Sequence, residues 1–142
     1  MADYIDLFPP KAAAAIQSLL PGESWRIARS EGIAPTVTVA DWTHVRTAIG
    51  TPAALDEAIA PLALPVDAPL PPAWATVLLS TVTLYALAVD FFDTEDQAKR
   101  WWNTPLPVSP GGPMYTPKDW TGLPDGAPQV AALIRRTQHG IY

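Results

Sequence analysis

Cysteine is absent from the 142 residues, and histidine occurs only at His44 and His139. The first absence excludes disulfides, thiolate nucleophiles and cysteine-ligated zinc or iron–sulfur sites, and the second excludes a histidine-rich metal centre. Basic residues are also few: nine Lys and Arg stand against fourteen Asp and Glu, a formal net charge of −5. That balance has the wrong sign for a domain whose affinity depends on neutralising phosphates, so composition argues against free-standing nucleic-acid binding. The imbalance is local. Residues 1–90 hold four basic and nine acidic side chains, whereas residues 91–142 hold five of each. A nucleophile elbow, a glycine-rich phosphate loop and a paired-histidine motif are all missing, so no enzyme activity and no cofactor is expected. The first residues, Met1 to Asp6, carry acid where a secretory leader needs a basic start, which predicts a cytoplasmic, bacterial setting.

Apolar material is plentiful. Hydrophobic residues make up 49% of the chain, with six Trp, four Tyr and three Phe, enough for the core of one compact unit. The longest uncharged run, Ala73 to Val89, is at the lower limit of about 17 residues for a membrane span. It contains Thr76, Ser80, Thr81 and Thr83 and lacks flanking Lys or Arg, so it reads as a buried core helix.

Seventeen prolines punctuate the chain. Pro61, Pro65, Pro69, Pro71 and Pro72 predict an extended connector over residues 61–72, because each ring removes an amide donor and biases its predecessor away from the helical region. It separates an N-terminal helical region, 1–60, from a C-terminal region, 73–142. In the first region, helices are predicted over 11–20, over 38–49 with Thr38 as cap and Gly50 just past the end, and over 52–60 with Thr51 as cap and Pro52 at the first helical position. In the second, three-and-four spacing from Trp74 to Phe91 or Phe92 predicts a long helix, with a pair of strands as the competing reading because Val77, Thr81, Val82 and Thr83 are β-branched. Asp93 or Thr94 caps the next helix, which ends before Pro105; residues 103–124 read as loop, with a single turn at 117–120, and a last helix spans about 127–138. The fold expected is all-α.

The polar residues have structural readings. Asp41 and His44 share a helical face as a solvated pair, Asp90, Asp93, Glu95 and Asp96 serve a helix start, and Gly111-Gly112 makes a turn. Two features point toward a partner. Adjacent helical residues project about 100° apart, so Trp101-Trp102 offers one ring to the core and the other to an interface. The C-terminal stretch places Arg135, Arg136, Gln138, His139, Gly140, Ile141 and Tyr142 together, fork-like donors followed by an apolar tip, suited to a cleft with anionic groups. A frayed helix end with favourable dipole charges is the alternative.

From Phe92 onward, the order Phe92, Ala98, Trp101, Trp102-Asn103-Thr104-Pro105, Gly112, Pro117, Gly126, Val130, Leu133 and Gly140-Ile141-Tyr142 resembles the toxin-binding domain of the MbcA/ParS/Xre antitoxin family, with Trp102 where the family usually has Leu. The resemblance implies an antitoxin, or immunity-like protein, that binds a cognate RES-domain toxin. Such toxins consume NAD, so this chain is expected to be the inhibitor, working as a homodimer or within a hetero-oligomer. The implied mechanism is occlusion of the toxin's active site by the last helix and tail, with Trp101, Trp102, Arg135, Arg136 and Gln138 to Tyr142 as partner-binding residues. Family members commonly carry an N-terminal helix-turn-helix, and Arg26-Ile27-Ala28-Arg29 followed by Gly32-Ile33 and then the Val39 helix faintly matches one. A DNA-binding autoregulator of a toxin–antitoxin operon is therefore the competing reading, opposed by Pro35 and by the lack of a basic array.

Overall fold

The computed structural model describes residues 8–22, 36–92, 94–107, 114–123 and 126–138, apart from the side chains at 107, 127, 133 and 135–138. Among them the fold is all-α. Helix α1 spans Pro10–Leu19, α2 Val39–Ile49, α3 Ala53–Ile59 with a 3₁₀ turn at Ala60–Leu62, α4 Pro72–Phe91, α5 Glu95–Trp102, α6 Pro117–Trp120 and α7 Gly126–Gln138. Leu106–Pro107 (β1) and Met114–Tyr115 (β2) form a two-residue antiparallel ladder, Leu106 opposite Tyr115, inside the stretch expected to be loop.

Helix α4 is the centre of the molecule. Pro72 occupies its first turn, where a missing amide hydrogen costs nothing, and no glycine or proline follows until it ends. Ala75, Leu78, Leu79, Thr81, Val82, Leu84, Tyr85, Ala86 and Ala88 are all buried, a spread wider than one stripe. A helix apolar on most sides is one covered on most sides; α1 packs along it and α7 packs on another face. The threonines that weaken its propensity return hydroxyls to their own helix: Thr76 donates to the Pro72 carbonyl at 3.1 Å and Thr81 to that of Val77 at 2.8 Å. The strand alternative is thereby excluded. By length and composition alone this helix would also suffice to cross a membrane; here its buried residues face protein.

The 61–72 connector is mostly exposed but makes specific contacts with α2. Its start completes the 3₁₀ turn, Leu70 is buried, and Pro69 bridges to Thr38. The connector supplies what α2 needs. The first amides of a helix have no intrahelical acceptor; here Val39 N–H donates to the Ala68 carbonyl at 3.0 Å and Ala40 N–H to that of Val66 at 2.9 Å. The third is taken by Thr38 Oγ1, which accepts from Asp41 N–H, while the Asp41 carboxylate accepts from Thr38 N–H at 2.8 Å, a complete capping box. At the other end Gly50 takes φ +80°, as a residue without Cβ does readily.

Helix α3 departs from its predicted start. Pro52 precedes the helix, which begins at Ala53, and Thr51 is not its cap. The buried Thr51 hydroxyl donates to Asp56 Oδ1, which also accepts from Trp42 Nε1 at 2.9 Å, joining α2 to α3. The first amide of α3 donates to a distant residue, Asp119 Oδ1, at 3.0 Å. One buried cluster draws on α1 (Ala12, Ile16, Leu19), α2 (Trp42, Val45, Ile49), α3 (Leu55, Ile59), Leu70, α4 and Trp102. A second gathers Leu84 with Val130 and Ile134 under α7.

Candidate partner-binding surface

The capping box Thr94–Gln97 starts α5, with Glu95 and Asp96 at its positive end, so Thr94 fills the cap for which Asp93 was the other candidate. Starting the helix there sets the phase of its last turn. Trp102 is fully buried and Trp101 partly buried, the division expected of neighbours on a helix. The Trp102 ring meets Tyr85 edge-on, centroids 5.5 Å apart, while Trp101 lies 5.9 Å from Phe92 and touches both clusters. Among the described residues Trp102 Nε1–H has no hydrogen-bond acceptor, a cost of about 1–3 kcal/mol that the surrounding apolar contact must exceed.

Tyr85 reaches from α4 to α5, its hydroxyl donating to Glu95 Oε1 at 3.3 Å. Burial, reinforced by the negative charge of Glu95 and the bond to it and by Asp96, pushes its ionisation well above the usual phenol range. Glu95 also lies 3.9 Å from Lys99 one turn on.

Helix α7 is held against α4 by Val130 and Ile134, packed on Leu84 and flanked by Leu87, Trp101 and Trp120. Its entry leaves no room for a side chain: a Cβ on Gly126 would lie 1.4 Å from the Trp120 carbonyl oxygen. This gives the glycine of the family-like pattern a steric reason. The backbone of Arg135, Arg136 and Gln138 is helical, one turn beyond Ile134. His139, Gly140, Ile141 and Tyr142 lie outside the described residues, as do Arg26 to Arg29 and Gly32-Ile33 of the helix-turn-helix-like segment.

Other polar candidates have structural partners. Asp41 is committed to its capping box, and His44 is exposed with Nε2 3.1 Å from the Ser18 carbonyl, so the two form no acid–base pair. The Arg46 guanidinium lies over the Trp42 ring at 4.6 Å. Among the described residues no three of His, Cys, Asp and Glu are grouped to hold a metal ion.

Two surface depressions were not anticipated. One, about 490 Å³, is lined by Phe91, Phe92, Gln97 and Arg100; the other, about 390 Å³ and mainly apolar, by Ala54, Ala73, Trp74, Val77, Gly122 and Leu123. The first had one sequence signal, an aromatic pair at the end of an apolar helix; the second joins segments too distant in sequence to suggest it. The fold and surface together define a small all-α domain with an aromatic face beside its last helix. The chain matches no family model, no curated protein and no solved structure.

Proposed function

We propose that this chain is an antitoxin, or immunity-like protein, that binds and silences a cognate NAD-consuming RES-domain toxin in the cytoplasm, in a homodimeric or hetero-oligomeric assembly. Helix α7 and the tail from Gln138 to Tyr142 occlude the toxin's active site, Arg135 and Arg136 engage groups that otherwise orient substrate, and Trp101 packs against the toxin beside them. The chain itself performs no reaction. Support comes from the ordered motif resemblance over residues 92–142 and, above all, from one observation: Trp102 is sealed in the core while Trp101, against the cluster under α7, stays only partly buried. A helix seated by Val130 and Ile134 and continuing a turn beyond them suits a rigid base for a projecting plug.

Co-expression with the RES-domain toxin of the same operon, followed by NAD measurement, tests this. The full chain is expected to preserve NAD and growth, and a chain lacking residues 136–142 to restore NAD loss. Unchanged inhibition by the truncated chain removes the tail from the mechanism, and NAD loss with the full chain overturns the antitoxin reading.

A further inference from the structure

The depression lined by Phe91, Phe92, Gln97 and Arg100 joins the end of α4 to the outer face of α5. Phe91 and Phe92 form an edge-to-face pair, centroids 5.1 Å apart, and both are only half-buried. Phe92 continues to Trp101, so the aromatic surface runs unbroken toward α7.

The rim carries donors. Arg100 is exposed, and among the described residues its guanidinium has no hydrogen-bond or ion-pair partner; the ion pair on this helix is Lys99 with Glu95. Gln97 directs its Oε1 to Thr94 N–H at 3.3 Å, which leaves its amide N–H₂ free to donate. From α1, Lys11 Nζ donates to the Phe92 carbonyl at 3.2 Å, bringing a second cation to the same edge and satisfying that carbonyl. Apolar rings and unpaired donors lining one depression complement an apolar side chain beside a carboxylate, with Arg100 to receive the acid. The depression is open rather than enclosed, which suits side chains presented by a protein better than a small molecule needing burial on most sides.

We propose that the Phe91–Phe92–Arg100 depression is a second contact site for the protein partner, taking an apolar residue flanked by Asp or Glu. It lies on the aromatic surface that includes Trp101 and is separate in the chain from the tail. Its assignment to a toxin rests on the antitoxin reading; its preference for an acidic, apolar segment does not.

Two arms separate these claims. In the first, the full chain is titrated with a short capped peptide alternating Leu and Phe with Glu, and with the same peptide carrying Gln for Glu, while backbone and indole NMR signals are followed. The Glu peptide is expected to shift Phe91, Phe92, Gln97, Arg100 and the Trp101 indole saturably, and Arg100→Glu to weaken it about tenfold, as loss of an arginine anchor does. Absence of saturable shifts, equal binding of the Gln peptide, or equal binding by Arg100→Glu overturns the proposal; benzoate binding as tightly as the Glu peptide overturns its assignment to a polypeptide. In the second arm, affinity for the operon's toxin is compared between wild type and Arg100→Glu. Loss of about tenfold or more supports the site. Equal affinity overturns the site while the antitoxin reading stands; a toxin that ignores the wild-type chain overturns that reading and leaves the peptide arm to decide the site. Because Arg100 is exposed and unpaired among the described residues, the variant is expected to keep the wild-type circular dichroism spectrum.

Discussion

Tyr85 shows how much one side chain can report about the assembly of this domain. It belongs to the core helix yet sends its hydroxyl to the first turn of α5, and burial with two nearby acids holds it in the neutral form. An unfolded tyrosine ionises near pH 10. The folded protein retains the proton to higher pH, so the stabilisation is full below about pH 10 and is lost as pH rises toward the folded-state value. Urea midpoints are therefore expected to fall with pH above about 10 more steeply in wild type than in Tyr85→Phe, at a cost to the variant at neutral pH of about 1 kcal/mol for the lost hydrogen bond. Parallel curves would mean that Tyr85 ionises as it does in the unfolded chain. Thr81 and Thr121 give a different lesson. Their buried hydroxyls are 2.9 Å apart, Thr81 also reaches the Val77 carbonyl and Thr121 that of Lys118, so two hydroxyl protons serve three contacts and one of the three lacks a proton at any moment.

Among the elements, α2 has the most completely satisfied start. Thr38 and Asp41 supply the box, and the connector supplies acceptors for the two preceding amides. Thr38 could be identified as a cap from sequence because capping is local, a hydroxyl three residues before the amide that donates to it. The connector's role could not, since it depends on Val66 and Ala68 returning to residues 39 and 40. Replacing Thr38 by Ala is expected to lower stability by about 1 kcal/mol in urea denaturation, the usual cost of a lost cap. A change below a few tenths would mean that the connector's carbonyls carry the helix start unaided. Thr51 illustrates the opposite outcome: sequence placed it as a cap, but Asp56 lies within reach of its hydroxyl and Asp119 takes the α3 amide from far along the chain. A cap assignment fails where a tertiary partner outcompetes a local one.

Across the whole molecule, the short segment 117–123 ties the start of α3, the middle of α4 and the end of α5 together. Asp119 holds the start of α3, Lys118 Nζ donates to Asn103 Oδ1 at 3.0 Å, Thr121 meets Thr81, and Gly122 faces Pro52 so closely that a Cβ would lie 2.4 Å from that ring. Helix α7 follows directly, entered at Gly126 against the Trp120 carbonyl. Gly126→Ala is expected to displace the start of α7 and to destabilise the fold by about 1–3 kcal/mol, the range for forced overpacking, and more if the backbone cannot shift. Thermal or urea unfolding checks this, and unchanged stability would show that the α6–α7 junction yields freely. Under the antitoxin reading, the same variant should weaken inhibition as well, because the plug would lose its seat.

Composition, spacing and proline placement were enough for the all-α class, for a core helix from about Trp74 to Phe91 or Phe92, for ends at Thr38 and Gly50, and for an α5 cap at Asp93 or Thr94, because these depend on contacts within a few residues. They also separated Trp101 from Trp102 by angle, though which ring would be buried depended on where α5 began. The connector's carbonyls at the start of α2, the Asp119 cap, the shared Asp56 acceptor and both surface depressions required the folded chain. Each joins groups distant in sequence, and periodicity along a chain carries no information about which of its faces will meet.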